Sequence, residues 1–317
     1  MDNVLTNRHD FLLLFEVTNG NPNGDPDAGN MPRLDPNNNR GLVSDVCLKR
    51  KVRNYFEAFP PSRESADGNG FNILIKQGAV IETEQKRGIE AAKEQYKDKE
   101  KQAEAAMKWL CREFYDVRTF GGVLSTGEDV MKGSAYGQVR GPVQFTFGQS
   151  YHPITPLEIT ITRCAVTKEA DKAKERTMGN KHIVPYALYA AKGYVSPAFA
   201  ERTGFTQADL DLLFEALLYM FEHDRSAARG EMVVRGLYDF EHVGTQEPTN
   251  AEQNRREARL GCAHAHTLFE GVKVALKDGK EFPESFNDYQ ITCDWTKENL
   301  PRGVVLHRRH ELGAAAG

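Results

Sequence analysis

Phe11-Leu12-Leu13-Leu14-Phe15-Glu16-Val17 is a short apolar run without helical spacing, and it predicts a buried central strand. It breaks into Asn19-Gly20-Asn21-Pro22-Asn23-Gly24-Asp25-Pro26-Asp27-Ala28-Gly29-Asn30, whose Asn, Gly and Pro residues demand a long turn-rich loop. A helix follows, so the chain opens strand, loop, helix. Further strand patterns lie at 143–147, 157–162, 182–189, 232–234, 272–275, 289–292 and 304–306. They share the chain with helical stretches, which predicts an α+β fold in a single domain covering 1–317.

The helix after the loop has two faces. Ser44 or Asp45 can cap its open N–H groups. At about 100° per residue, Leu48, Val52, Tyr55, Phe56 and Phe59 form a core face, and Lys49, Arg50 and Arg53 fall on the adjoining flank. From Arg40 to Asn54 there are five Lys/Arg against one acid, in a chain whose net charge is −4. Such a flank serves either as a clamp for phosphates or as an ordinary solvated basic face.

Composition narrows the classes. Apolar content of 40% and charged content of 27% describe a globular protein able to bury a core. No segment is long and apolar enough to span a bilayer, and the first ten residues lack a secretory pattern. The five scattered cysteines fit a reducing cytoplasm, and the spacing holds no CxxC pair. Walker, G-x-S-x-G and H-E-x-x-H motifs are absent.

Residues 84–116 are rich in Ala, Glu, Gln and Lys with a narrow apolar stripe, which predicts an exposed helical insertion; 71–77 reads as a strand. Seven glycines lie between Val117 and Gly148, a density that predicts sharp turns or close backbone approach. They are framed by Arg118, Thr119 and Phe120 on one side and Gln138 and Arg140 on the other. Phe120 either stacks beside a base or sits in the core. The charged stretch 167–181 between strand patterns predicts a projecting hairpin. Thr206 with Asp209 forms a capping pair for a helix carrying Leu210, Leu213, Phe214, Leu217 and Phe221.

The Asn/Asp/Gly loop has three readings: a calcium loop lacking its terminal acid, a catalytic loop using Asp25 or Asp27, or a self-satisfied structural turn. Cys262-Ala263-His264-Ala265-His266 and His223-Asp224-Arg225 lack the companion ligands that a metal site requires.

Six stretches together resemble the backbone subunit of the type I Cascade, the CRISPR RNA-guided surveillance complex, and above all its subtype I-C (Csd) branch. They are NGNPNGDPDAGNMPR (Asn19–Arg33), GLVSDVCLKRKVRNY (Gly41–Tyr55), DVRTFGGVLST (Asp116–Thr126), GQVRGPVQFTF (Gly137–Phe147), TMGNKHIVPYALY (Thr177–Tyr189) and FEHDRSAARGEM (Phe221–Met232). The resemblance implies a RAMP-class fold: a modified RNA-recognition-motif (ferredoxin-like) palm, a helical insertion at 60–116 and a thumb hairpin at 163–185. It implies a non-catalytic protein without cofactor or metal. Copies of it would stack along one CRISPR RNA and present the bases to a target DNA strand. Its other partners would be the guide-processing and 5′-handle subunit, the large subunit and the small subunit of the complex, with no membrane, in the cytoplasm.

Carried over by residue, the resemblance assigns Lys49, Arg50 and Arg53 to phosphates and places Asn21 and Asn23 beside the RNA path. Arg118, Thr119 and Phe120 match the glycine-loop entrance, where a bulky side chain abuts a displaced nucleotide. Gln138 and Arg140 match its exit, and Met178, Lys181 and His182 the thumb's return. Related type III subunits cut RNA with a loop aspartate, so a metal-dependent endoribonuclease using Asp25, Asp27 or Asp45 is the alternative.

Overall fold

The computed structural model describes residues 4–61, 68–124, 130–165, 169, 177–246 and 249–311. Gly127, the tail after Glu311 and, of the charged stretch 167–181, residues 167–168 and 170–176 lie outside the described residues. The elements in the first part of the chain are β1 (His9–Gly20), β2 (Gly24–Asp25), β3 (Met31–Pro32), β4 (Arg40–Val43), α1 (Asp45–Ala58), α2 (Ile81–Gln95), α3 (Lys99–Glu113) and α4 (Tyr115–Phe120). Next come β5 (Gly121–Val123), β6 (Gln138–Arg140), β7 (Val143–Phe145), β8 (Gly148–Pro153), β9 (Leu157–Arg163) and β10 (Thr177–Val195). The last part holds α5 (Pro197–Thr203), α6 (Gln207–His223), β11 (Glu231–His242), α7 (Ala251–Leu260), α8 (Ala265–Glu270), β12 (Val272–Leu276), β13 (Tyr289–Cys293) and β14 (Val304–Glu311).

The fold is α+β around an antiparallel sheet in the order β14-β11-β1-β10-β8-β4. Its centre reads β11-β1-β10-β8, with α1 following β1 and α6 joining β10 to β11, which is the strand order of a ferredoxin-like βαββαβ unit. The unbroken apolar run of β1 follows from its position, paired with β10 on one edge and β11 on the other. Phe11, Leu13, Phe15 and Val17 face one core with Leu48 and Val52 of α1 and Leu213 and Leu217 of α6. Leu12 and Leu14 face the opposite core with Tyr238, Phe240, Leu268 and Phe269. A strand covered on both faces has no solvent side on which to alternate polar residues. Gly193 of β10 lies beneath the Phe11 ring, where an added Cβ would come within 2.0 Å of its Cζ.

α6 starts with the expected capping box: the Thr206 hydroxyl accepts from the Asp209 amide, and Asp209 accepts from the Thr206 amide. The strand pattern read at 71–77 is not a strand. It pairs through a single bridge, Asn72 with Phe114, and the chain there is held instead by Asp116, which accepts from the amides of Leu74 and Ile75 at 2.8 and 3.1 Å. α2 and α3 pack on each other over their own apolar cluster of Ile89, Ala92, Ala103, Ala106, Met107 and Leu110. β9 pairs with the start of β10, from Leu157 opposite Ile183 to Arg163 opposite Thr177. Among the described residues no helix is long and apolar enough to cross a membrane.

Candidate nucleic-acid interface

α1 is set by its cap and its inner face. The Ser44 hydroxyl accepts from the Cys47 amide, and Asn23 Oδ1 accepts from both the amide and the hydroxyl of Ser44, each at 2.9 Å. Asn23 thereby ties the turn-rich loop to the helix start. Asn21 is buried, its amide nitrogen donating to the Asn30 carbonyl and its backbone N–H to Ala228. Both asparagines are committed to holding the loop.

The basic flank divides into half-buried and buried members. Lys49 is half-buried and pairs with Asp45 at 3.0 Å. Arg50 donates through Nε to Asn54 Oδ1 at 3.0 Å and has no carboxylate within ion-pair distance among the described residues. Arg53 is buried, its Nε bonded to Asp116 Oδ2 at 2.8 Å. On the opposite flank Lys51 is buried against Asp224, which also holds Arg229 at 3.0 Å. The local excess of positive charge is thus largely compensated by acids distant in sequence. Lys49 and Arg50 are the helix cations best placed for an outside anion, and Arg53 is spent on joining α1 to α4 through Asp116. Cys47, between these flanks, has its thiol pushed up by burial, an effect opposed by nearby Lys51, Arg229 and Arg33.

The entrance to the glycine-rich region corrects the sequence expectation. Arg118, Thr119 and Phe120 belong to α4, all six residues of which are buried. Arg118 is fully buried, donating to both Asp209 oxygens at 3.0 and 2.8 Å and to the carbonyls of Cys111, Arg112 and Gly70. A guanidinium so fully used has no donor left for phosphate. Thr119 is fully enclosed, and Phe120 is 7% exposed and packs against Phe145. The core position is therefore the right one for Phe120, and the ring has no open face for a base.

Beyond α4 the chain turns sharply. Gly121 has φ 75° and lies so close to the Val139 carbonyl that a Cβ would come within 2.1 Å of it. This lets β5 pair with β6, whose Gln138 and Arg140 are exposed on one side while Val139 is buried between them. On the hairpin, Met178 is 75% exposed; Lys181 and His182 are half-buried, and Lys181 donates to the Ala227 carbonyl at 2.8 Å. The structure thus brings Lys49, Arg53 and Phe120 together, gathers Asn21 and Lys181 on the loop at 224–230, and leaves Arg50, Gln138, Arg140 and Met178 accessible.

Of the loop acids, Asp25 caps a short turn by accepting from the Asp27 amide and lies 3.4 Å from Arg33, and Asp45 holds Lys49. Among the described residues no group of three or more His, Cys, Asp or Glu side chains is placed to hold a metal ion.

The sequence model of one protein family, described as CRISPR-associated protein Cas7, matches residues 7–294. The chain belongs to the Cas7 family. A relative from Haloferax volcanii, described as CRISPR-associated protein Cas7, is 27% identical over 222 residues, 65% of this chain. The match takes in 62% of that relative's length. Similar solved structures include a chain titled "CRISPR RNA-guided surveillance complex, pre-nicking" (TM-score 0.45, 14% identity, 77% of this chain and 80% of that one). Another is titled "CRISPR RNA-guided surveillance complex" (TM-score 0.42, 16% identity, 80% and 76%). A third comes from a type III-B Cmr-beta complex bound to cognate target RNA (TM-score 0.40, 11% identity, 73% and 60%).

Within this Cas7 chain, the sequence reading missed the acids that hold the basic side chains of α1 and α4: Asp116, Asp209 and Asp224. Asp209 was visible only as a helix cap, and its second task, holding Arg118 from 91 residues away, leaves no local signature.

Proposed function

We propose that this chain is a non-catalytic backbone subunit that binds CRISPR RNA and lines up in several copies along it, leaving guide bases free to pair with a target DNA strand. Membership of the Cas7 family supports the reading. The observation that carries it is the outer edge of α1: Arg50, without a carboxylate partner among the described residues, beside half-buried Lys49, on a helix anchored to the core by Leu48, Val52 and Phe56. Cations fixed to a rigid body hold a sugar-phosphate chain in register and leave sequence to base pairing. Exposed Arg140, Gln138 and Met178 are proposed to extend the path, and Lys181 and His182 to flank it at the hairpin root. Arg53, Arg118, Thr119, Phe120, Asn21 and Asn23 are assigned to shaping it. The proposed architecture is one domain carrying a helical insertion at 60–116 and a thumb at 163–185, within a type I-C Cascade whose other subunits are its partners.

The decisive experiment is purification of the chain expressed with a CRISPR array. The expected product is a multi-copy particle carrying RNA of uniform length. An RNA-free monomer that also ignores added single-stranded RNA would overturn the proposal.

A further inference from the structure

Lys49 Nζ stands over the Phe120 ring, 5.8 Å from its centroid, and the Arg53 guanidinium carbon stands over the same ring at 5.4 Å. The ring cannot travel. It packs against Phe145, and it is the last residue of α4, which Arg118 fastens to α6 through Asp209 before the chain turns at Gly121. An aromatic face attracts a cation within about 6 Å through its quadrupole. It differs from a carboxylate in one respect: it holds the ammonium in place without cancelling the charge. The same Lys49 Nζ lies 3.0 Å from Asp45, so the ammonium sits between a carboxylate of its own helix, which an outside phosphate can replace, and a ring that holds it without offsetting its charge.

We propose that Phe120 is a positioning residue for nucleic-acid binding: its face is the floor that holds the Lys49 ammonium at the edge of α1, ready for an RNA phosphate, and it touches no nucleotide. The inference rests on the reading of α1 as an RNA-contacting helix. It accounts for an aromatic residue beside a basic flank without asking a buried ring to leave its core.

The test replaces Phe120 with a series of ring-fluorinated phenylalanines. These keep the shape nearly constant while draining the negative face, so the fold is retained and checked by melting curves. The probe is a labelled single-stranded RNA in low salt, applied to wild-type chain, to the series, and to the same series in a Lys49→Gln background. Affinity is expected to fall stepwise with fluorination, by roughly two- to tenfold at the heaviest substitution, and most of that loss is expected to vanish once Lys49 is gone. A flat series, or an equal loss with and without Lys49, overturns the inference. If Lys49→Gln and Arg50→Gln both bind the probe like wild type, the RNA-binding reading itself fails, an outcome separate from a flat series beside weakened lysine and arginine variants.

Discussion

Arg118 grips both carboxylate oxygens of Asp209 across 91 residues of sequence, with Nε at 3.0 Å and Nη2 at 2.8 Å, and neither side chain sees solvent. Two helices that the sequence places far apart are thereby joined at one buried ion pair. Removing one partner strands the other charge in the core. Arg118→Ala should lower stability by about 3–5 kcal/mol, read as a reduced urea midpoint. Asp209→Ala should cost at least as much, because the Thr206 cap is lost with it. A mild effect from either change would mean that the pair is solvated.

The division of the basic helix makes opposite forecasts for two arginines. Arg50→Glu should leave the melting temperature near wild type and weaken RNA binding without changing sequence preference. It should also flatten the log–log salt dependence by about 0.7 for each single-strand phosphate that the protein no longer neutralises. Arg53→Glu sets a second carboxylate against buried Asp116 and should instead destabilise the fold by about 3–5 kcal/mol. Filter binding and thermal melts on the pair of variants separate the two; a shared loss of affinity at unchanged stability would return Arg53 to the phosphate flank.

Asp25 and Asp45, the acids nearest the expected RNA path, are occupied by Arg33 and Lys49. Incubating loaded protein with labelled complementary RNA and magnesium or manganese should yield no cleavage, and Asp25→Ala should change nothing. Evenly spaced cuts that disappear in Asp25→Ala would establish the ribonuclease alternative.

The cysteines give a probe of the same region. Cys164 is exposed, whereas burial pushes the Cys47 thiol up from its ordinary value and the Cys111 thiol to about 12. Alkylation of native protein at pH 8 should label Cys164 first, Cys47 slowly and Cys111 last. The linkage has a definite sign. Cys111 is protonated in both folded and unfolded chain below its ordinary 9.0, so nothing is lost there. Between pH 9 and about 12 the unfolded thiol ionises while the folded one does not, and stability should fall as pH rises. Mass-spectrometric mapping checks the order of labelling, and a constant unfolding midpoint from pH 9 to 11 in wild type, matched to Cys111→Ala, would contradict the burial effect.

Local pattern carried much of the fold. The apolar run of β1, the cap and inner face of α1, and the Thr206–Asp209 box depend on neighbours in sequence, so spacing exposes them. The misreadings share a cause. Residues 71–77 have strand-like composition, but their amide partners come from Asp116 rather than from a sheet edge. Likewise Arg118 and Arg53 look like surface cations until Asp209 and Asp116 arrive from elsewhere in the chain. Charge is visible in a sequence, whereas its compensation is a property of the folded chain. Hence Lys49, Arg50 and Arg53, alike by helical spacing, part company in three dimensions.

β10 runs without interruption for 19 residues, paired with β9 at its start and with β1 along the rest. At about 3.3 Å per residue it measures roughly 60 Å, and a single rod is thereby both lever and fulcrum. Force applied near Met178 passes along continuous backbone to Tyr189, which stacks on Phe15 at 5.4 Å in the middle of the sheet. No hinge intervenes, so whatever the outer ribbon grasps is mechanically coupled to the most deeply seated strand of the protein.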